Sequence, residues 1–174
     1  MPMLRALIDA IYRGTAALGA VCFVGVLGLI LYQLGGQALP YTPRDADEFA
    51  GYCMGASAFL ALADALRSGN HIQVRLVVDL FSPGPRRLVA WLTWTASTGL
   101  AAWVAWYFTR MTWISIELGE KSSGLIALPM WIPQAAMSWG AIVFVIAFID
   151  AGITALARRG SPDQGFVSQG GHGD

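Results

Sequence analysis

Few side chains in this sequence could carry out chemistry, and the two histidines are the first to consider. His71 stands beside Asn70 in a short polar segment, and His172 stands in the last residues of the sequence. A four-helix membrane cytochrome needs several histidines within its apolar spans to bind haem, and neither histidine lies in such a span. His71 could act as a ligand or a proton carrier, but a lone histidine in this setting more often serves as a polar cap.

Two acids, Asp64 and Asp150, lie within or beside long apolar stretches. Acids at membrane depth are candidates for proton or ion sites. Asp64, however, is close to Arg67, and Asp150 lies about two helical turns before Arg158. We therefore expect structural pairing for both acids rather than an ion site. A small multidrug exporter would also need an acid deeper in an early span.

The cysteines Cys22 and Cys53 show neither metal-ligand spacing nor a redox pair, so they are better interpreted as small apolar packing residues. No nucleophile–base pair or metal cluster is recognisable, which disfavours a membrane enzyme such as an intramembrane hydrolase. The net formal charge of zero gives no reason to expect nucleic-acid binding. The sequence therefore predicts no catalytic, cofactor-binding or metal-binding residues.

Long apolar helices must position these residues. The 174 residues are 56% hydrophobic and 13% charged, whereas a soluble domain carries about 25% charged residues. Four stretches hold the roughly 20 apolar residues that a helix needs to cross the hydrocarbon core. The sequence predicts an all-α integral membrane domain over residues 1–157, with transmembrane helices at about 14–36, 49–66, 88–108 and 129–156.

A cleaved signal peptide is the rival interpretation of the first span. The apolar core of a signal peptide is about 7–15 residues long, and the apolar stretch 16–34 is longer. Gly36, Gln37 and Ala38 could nevertheless mimic a cleavage site. A membrane span is favoured, and the alternative stays open.

Basic residues are distributed unevenly between the two sides of the predicted helices. Eight lie on one side, and only three lie on the other. By the positive-inside rule the first side is cytoplasmic, so both termini face the cytoplasm and the tail 158–174, rich in Gly, Ser and Gln, is a disordered cytoplasmic segment. The eight are Arg5, Arg13, Arg67, Arg75, Arg86, Arg87, Arg158 and Arg159, and the three are Arg44, Arg110 and Lys121.

The segment between the second and third spans has an amphipathic pattern. Ile72, Leu76 and Leu80 recur at helical spacing, and Arg75 and Asp79 are placed to pair on the polar side. A helix over about 71–82 is too short to cross the bilayer and suits a position in the membrane interface.

Small and polar residues within the spans indicate helix packing rather than a pore. Gly51, Gly55 and Ala58 form a small-residue step of the kind that lets two membrane helices approach. Hydroxyl side chains in the spans can bond to their own helix backbone and need no pore. Tryptophans near both ends of the third span, including Trp91, Trp94 and Trp113, are interpreted as interfacial anchors rather than as a substrate-stacking site. The hydroxyl residues are Ser57, Thr93, Thr95, Ser97, Thr98 and Ser138.

Two segments carry a resemblance to a known family. One runs from Ala65 to Arg75, with a polar turn, His71 and then alternating aliphatic and polar residues, and Asp79 follows it. The other runs from Ser122 to Pro133 and ends Leu-Pro-Met-Trp-Ile-Pro. In register with four spans, they resemble the small membrane subunit of tripartite ATP-independent periplasmic (TRAP) transporters, the DctQ-like family, over about residues 10–157.

This resemblance implies a multi-pass subunit of the bacterial inner membrane, without enzymatic activity or cofactor. A large membrane subunit would carry the substrate and sodium sites and perform the movement of transport, and a periplasmic binding protein would bind transiently and deliver an organic acid. The small subunit would brace the large one, in contact with membrane lipid. The alternative function is a self-sufficient four-helix transporter or channel that acts as a homo-oligomer.

The candidate functional residues are therefore contact residues. Helix packing against the large subunit is assigned to the small-residue step, and the interfacial segment is assigned an anchoring role. Charged residues of the outer loops are candidates for docking the binding protein, although ordinary solvated loop charges are an equally good interpretation of each. The sets are Gly51, Gly55 and Ala58; Arg67, His71, Ile72, Arg75 and Asp79; Arg44, Asp45, Asp47, Glu48, Glu117, Glu120 and Lys121; and, in the opening turns of the fourth helix, Pro129, Trp131 and Pro133.

Overall fold

Four helices make up most of this computed structural model, which describes residues 2–37, 45–67 and 83–157. Within that part of the chain no strand forms, and Lys121 and Pro129 make an isolated antiparallel bridge. The all-α class and the number of long helices predicted from the sequence are confirmed. The helices are α1 (Pro2–Gln37), α2 (Ala46–Arg67), α3 (Pro83–Leu118) and α4 (Trp131–Ala157).

Three of the four helices are long and apolar enough to cross a membrane, namely Ala6–Gly36 in α1, Ala46–Leu66 in α2 and Trp131–Thr154 in α4. The helix α3 is 36 residues long but is not among them. The composition of a spanning segment is therefore shown for three of the four predicted spans.

The helices pack in the spatial order α1, α2, α4, α3. The extensive contacts are those of α1 with α2, α2 with α4, and α4 with α3. Over the residues described, α1 and α3 share no extensive contact with each other. The result is a row of helices in which the central pair, α2 and α4, supports the two outer helices.

The closest approach in the central pair is at Gly140 of α4. A Cβ atom at this position would lie 2.6 Å from the carbonyl carbon and oxygen of Phe59 and 2.8 Å from the amide nitrogen of Leu60. These are backbone atoms of α2, which cannot rotate away as a side chain can. Only glycine therefore permits this spacing, as at the small-residue contacts of other membrane helices.

Glycines also set the contacts of the outer helices. In α1, a Cβ atom on Gly19 would lie 3.3 Å from the Cβ atom of Leu60. In α4, Gly152 leaves room for the ring of Trp94, whose Nε1 donates a hydrogen bond of 3.1 Å to the carbonyl oxygen of Phe148. The interpretation of Trp94 as an interfacial anchor is therefore incomplete, because its ring joins α3 to α4.

The position of one proline differs from its sequence prediction. Pro129 was predicted in the opening turns of the fourth helix, but the helix begins at Trp131. Pro129 instead belongs to the bridge with Lys121, and its carbonyl oxygen accepts a hydrogen bond of 3.2 Å from the amide of Ile132. Pro133 lies in the first helical turn, where its missing amide hydrogen leaves no bond unmade.

Several predictions concern residues outside the described part of the chain. The interfacial helix at 71–82 and the tail at 158–174 lie there, and so do Arg44, His71, Ile72, Arg75 and Asp79. The structure does not test them.

The contact at Gly140 can be tested by adding a single methyl group. We expect Gly140→Ala to destabilise the fold by about 1–3 kcal/mol, the usual cost of overpacking, because the methyl group would overlap the backbone of α2. Gly28→Ala in α1 is the matched control, since nothing lies within 4 Å of a Cβ atom there. Thermal unfolding of the two variants in mild detergent makes the comparison, and equal midpoints would contradict the assigned contact.

Candidate functional site

Most of the predicted docking residues lie at one end of the row, where α2 and α4 begin and α3 ends. We call this the acidic end and define it as residues 45–52 and 115–134. An ordered loop, residues 119–130, connects α3 to α4 there. Its geometry decides which acids remain accessible and which are already engaged within the chain.

The loop begins with a glycine turn that ends α3. Gly119 has a φ of +60°, a conformation that L side chains rarely adopt. Its amide donates to the carbonyl oxygen of Ile116 at 3.3 Å, and the amide of Glu120 donates to that of Ser115 at 3.1 Å. These two bonds form a Schellman motif, which satisfies carbonyl groups at the end of the helix.

Two further backbone bonds close the loop on itself. The amide of Ser122 donates to the carbonyl oxygen of Leu128 at 2.8 Å, and the amide of Met130 donates to that of Glu120 at 3.0 Å. The chain thus returns to its starting point before α4 begins, so the segment between them forms a short protruding turn.

Asp45 holds this turn from the start of α2. Its Oδ1 accepts a hydrogen bond of 3.0 Å from the amide of Leu125, and its Oδ2 accepts one of 2.7 Å from the amide of Ile126. Hydrogen bonds to a charged acceptor are stronger than neutral ones. One carboxylate therefore fixes two consecutive backbone amides of a segment 80 residues away in sequence.

Glu48, one helical turn later, holds the base of the same turn. Its Oε1 accepts hydrogen bonds from the hydroxyl groups of Tyr52 and Ser122. Ser122 Oγ in turn accepts a bond of 3.1 Å from the amide of Gly124. We call Asp45 and Glu48 together the carboxylate clamp.

Gly124 leaves room for both carboxylates of the clamp in their observed positions. A Cβ atom on this residue would lie 2.4 Å from Oε2 of Glu48 and 3.2 Å from Oδ1 of Asp45. The Ser-Ser-Gly-Leu segment therefore has a physical reason: a serine to bond Glu48, a glycine to admit both carboxylates, and amides beyond it for Asp45. The sequence pattern identifies this segment but does not show that it contacts the acids of α2.

The clamp presents an apolar tip. Leu125 is 80% exposed and Ile126 is 61% exposed, although both have their amides fixed by Asp45. The side chains thus project from a backbone that is held in place, so the tip keeps its shape without burying its own apolar surface.

Among the remaining docking candidates, two accept a hydrogen bond from within the chain. Glu120 accepts a bond of 2.7 Å from Ser115 Oγ, and Glu117 accepts one of 2.8 Å from Nε1 of Trp113. Asp47, Glu117 and Lys121 are exposed. Asp45 and Glu48 are half-buried and occupied by the loop, which leaves the other charges as the accessible ones.

The residues of the small-residue step of α2 do not all face the same way. Gly51 and Ala58 are exposed, whereas a Cβ atom on Gly55 would lie 2.2 Å from Cε of Met137 in α4. Gly55 therefore packs within the chain, and Gly51 and Ala58 face outward. The exposed face that they share is one at which a neighbouring helix could approach.

Polar side chains within the helices mostly bond locally, as predicted. Ser57, Thr95 and Thr98 each donate to a carbonyl oxygen of their own helix, at 2.9, 2.9 and 2.8 Å. Ser138 differs, because its hydroxyl lies 2.9 Å from that of Thr109 and joins α4 to α3.

The acids of the apolar stretches lie elsewhere. Asp64 is exposed and Asp150 is half-buried, both toward the end of the row opposite the clamp. Within the described ranges, no group of three His, Cys, Asp or Glu side chains is placed as metal ligands would be.

The clamp makes a specific prediction about backbone protection. We expect Asp45→Ala to increase hydrogen exchange at the amides of Leu125 and Ile126 by at least about tenfold, since hydrogen bonds to a charged group each contribute roughly 1.5–3 kcal/mol. Asp47→Ala is the control, because Asp47 is exposed and lies outside the clamp. Mass spectrometry of exchanged peptides covering 119–130 gives the measurement, and the same exchange in both variants would refute the clamp.

Comparison with known proteins places this arrangement in a family. No curated protein matches the chain, and no solved structure does. A family model does match, over residues 26–158, and its description is the DctQ component of tripartite ATP-independent periplasmic transporters. The match includes α2, α3 and α4 with the clamped loop between α3 and α4, and the last third of α1. The chain therefore belongs to the DctQ family of small inner-membrane components of these transporters.

Proposed function

We propose that this chain braces the large membrane subunit of a transporter that takes up an organic acid together with sodium. In this proposal a periplasmic binding protein delivers the acid, and the large subunit carries the substrate and ion sites. The family match is the observation that carries the proposal. The row of helices supports it, because a row exposes long lateral faces to a partner.

A cleft between α2, α3 and α4 argues against the alternative of a self-sufficient transporter. It measures about 330 Å³ and is lined mainly by apolar side chains, among them Phe59, Leu100 and Phe144, with Ser97 as its hydroxyl residue. An organic acid needs cationic or hydrogen-bonding groups to replace its hydration. This lining offers it few, so the described part of the chain favours a supporting role.

The proposed topology places the acidic end in the periplasm and both termini in the cytoplasm. It requires α3 to cross the membrane although its composition is less apolar than that of the other helices. The support is its length of 36 residues, its packing along α4, and the excess of basic residues predicted on the cytoplasmic side.

Reporter fusions test this topology. We expect green fluorescent protein fused after Asp174 to fluoresce and alkaline phosphatase at the same position to be inactive, because the two reporters fold on opposite sides of the membrane. Inserting each reporter after Ser123, in the turn between α3 and α4, should reverse the result. If both positions report the same side, α4 does not cross the membrane. A further reporter between α2 and α3, after Ser82, should match the position after Asp174, and if it instead reports the same side as Ser123, α3 does not cross the membrane.

The outward face of α2 is the proposed contact with the large subunit. Gly51, Met54, Ala58 and Ala61 are all exposed and recur at helical spacing. Small side chains allow a second helix to approach closely, and in lipid such packing drives association. Gly55 lies at the edge of this face and serves the contact with α4 instead.

Co-purification tests both the function and this face. We expect the chain, tagged at its C-terminus and extracted in mild detergent, to bring down a large polytopic protein in a fixed ratio. Ala58→Leu should lower the yield of that partner at least about threefold, because it adds bulk to a closely packed face. Ala20→Leu on the exposed side of α1 is the matched control.

The outcomes of that experiment separate the two candidate functions. A partner recovered equally with both variants would remove the assignment of α2 while keeping the proposed function. A self-assembled chain without a partner, which sustains solute flux in liposomes, would establish the alternative instead.

The acidic end is the proposed docking region for the binding protein. Asp47, Glu117 and Lys121 supply accessible charge, and Leu125 and Ile126 supply an apolar tip of fixed shape. Exposed charges mainly steer and orient an encounter, whereas a small apolar contact stabilises it. A transient docking partner needs both.

A further inference from the structure

A groove on the outer half of α3 is used neither by the clamp nor by the proposed contact face of α2. It measures about 220 Å³ and is open along one side of the helix. Its lining combines two opposite charges with apolar side chains and a phenol. The lining residues are Tyr107, Arg110, Met111, Ile114, Ser115 and Glu120.

The cationic side of the groove is Arg110. Its guanidinium carbon lies 5.5 Å from the centroid of the Trp106 ring, within the range of a cation–π interaction. The Tyr107 ring stacks on that of Trp103 at a centroid distance of 6.2 Å. Trp103, Trp106 and Tyr107 are all exposed, so the cation lies beside an aromatic surface that is open to the surroundings.

The anionic side is Glu120, and the Schellman turn positions it. Its Oε2 accepts a bond from Ser115 Oγ at 2.7 Å, while a carboxylate has two oxygens and room for further donors. Ser115 lies five residues beyond Arg110, which is a rise of about 7.5 Å along the helix. The two charges thus occupy successive levels of one groove.

We propose that this groove binds the zwitterionic headgroup of a phospholipid in the outer leaflet, with phosphate at Arg110 and a primary ammonium at Glu120. A phosphate and an ammonium joined by two carbons fit a site of this kind, because Arg110 and Glu120 line the same groove and each can make a hydrogen bond of about 2.9 Å. The acyl chains then follow α3 toward the membrane centre, past Tyr107, Trp103 and Leu100, which are all exposed. Phosphatidylethanolamine has this chemistry.

Charge is the reason to choose this lipid over other occupants. Phosphatidylglycerol would satisfy Arg110, but it carries no cation to offset the charge of the Glu120 carboxylate. A phosphatidylcholine has no N–H to donate, so its contact with Glu120 is purely ionic. The inference rests on the proposed topology, since it needs α3 to cross the membrane with Arg110 near the outer surface.

Native mass spectrometry of the detergent-purified protein, with any partner it retains, tests the site. The probes are palmitoyl-oleoyl phosphatidylethanolamine, phosphatidylcholine and phosphatidylglycerol, each added at the same concentration. We expect the ethanolamine lipid to be retained about three- to tenfold more than the choline lipid, because the choline lipid keeps the ionic contact with Glu120 and loses only the hydrogen bond. Equal retention of the two would overturn the proposal.

Two substitutions assign the contacts. Glu120→Gln should abolish the preference for ethanolamine over choline, and Arg110→Gln should lower retention of all three lipids. The controls are Glu117→Gln, an exposed acid outside the groove, and Arg13→Gln, an exposed arginine of α1. Lipid retention in the Glu120 and Arg110 variants that matches these controls would exclude the groove as the site.

Further outcomes distinguish other occupants. Release of the ethanolamine lipid by millimolar inorganic phosphate would show a simple phosphate site and refute a lipid site, as would a preference for phosphatidylglycerol. Loss of the lipid when the partner binds would show that a helix of the partner occupies the groove in the complex, and this outcome would also refute the lipid site. Recovery of the partner is measured in the same samples. Absence of a partner together with retained lipid selectivity would contradict the proposed function alone, and a recovered partner without lipid selectivity would contradict the lipid site alone.

Discussion

The whole arrangement depends on how closely α2 and α4 approach each other. In lipid there is little hydrophobic gain when two apolar helices associate, so contact between their surfaces must supply the attraction. The absence of a side chain at Gly140 brings the axis of α4 against the backbone of Phe59. With that central pair fixed, Gly19 places α1 on one side, and Trp94 above Gly152 places α3 on the other. The contact of α1 with α2 and that of α3 with α4 then extend the row outward from this central pair.

Polar groups follow a corresponding division of roles. Within the helices, hydroxyl groups such as those of Thr95 and Thr98 bond to their own backbone, which satisfies them without joining helices. At the acidic end, polar groups instead make contacts distant in sequence, because Asp45 and Glu48 of α2 bind the loop before α4. The same charges that mark a boundary of the apolar region thereby fix the start of two helices relative to each other.

The sequence predicts the helices well because their signals are local. Long runs without charge and the family pattern of 122–133 identify four helices and the family. Small residues are common in such helices, however, and their spacing alone does not show which of them face a neighbour. Gly51 and Gly55 form the evident motif, yet the contact with a neighbouring backbone is made at Gly140 and the contact with the Trp94 ring at Gly152, and neither of these glycines is in a GxxxG step. The clamp was missed for a related reason: Asp45 and Gly124 are distant in sequence, and acids in loops usually interact with water.

The apolar stretches of neighbouring helices differ in length. At 1.5 Å per residue, the charge-free stretch 14–36 of α1 spans about 34 Å and the charge-free stretch 49–63 of α2 about 22 Å, against a hydrocarbon core of about 30 Å. The stretch of α1 therefore slightly exceeds the core and fits it with a modest tilt, whereas that of α2, packed beside it, is shorter than the core and favours a thinner bilayer. The bilayer thus meets a longer apolar surface along α1, at one edge of the row, and a shorter one along the neighbouring α2. This difference imposes a gradient of membrane thickness around the protein, and it favours neighbours whose own hydrophobic heights match each edge.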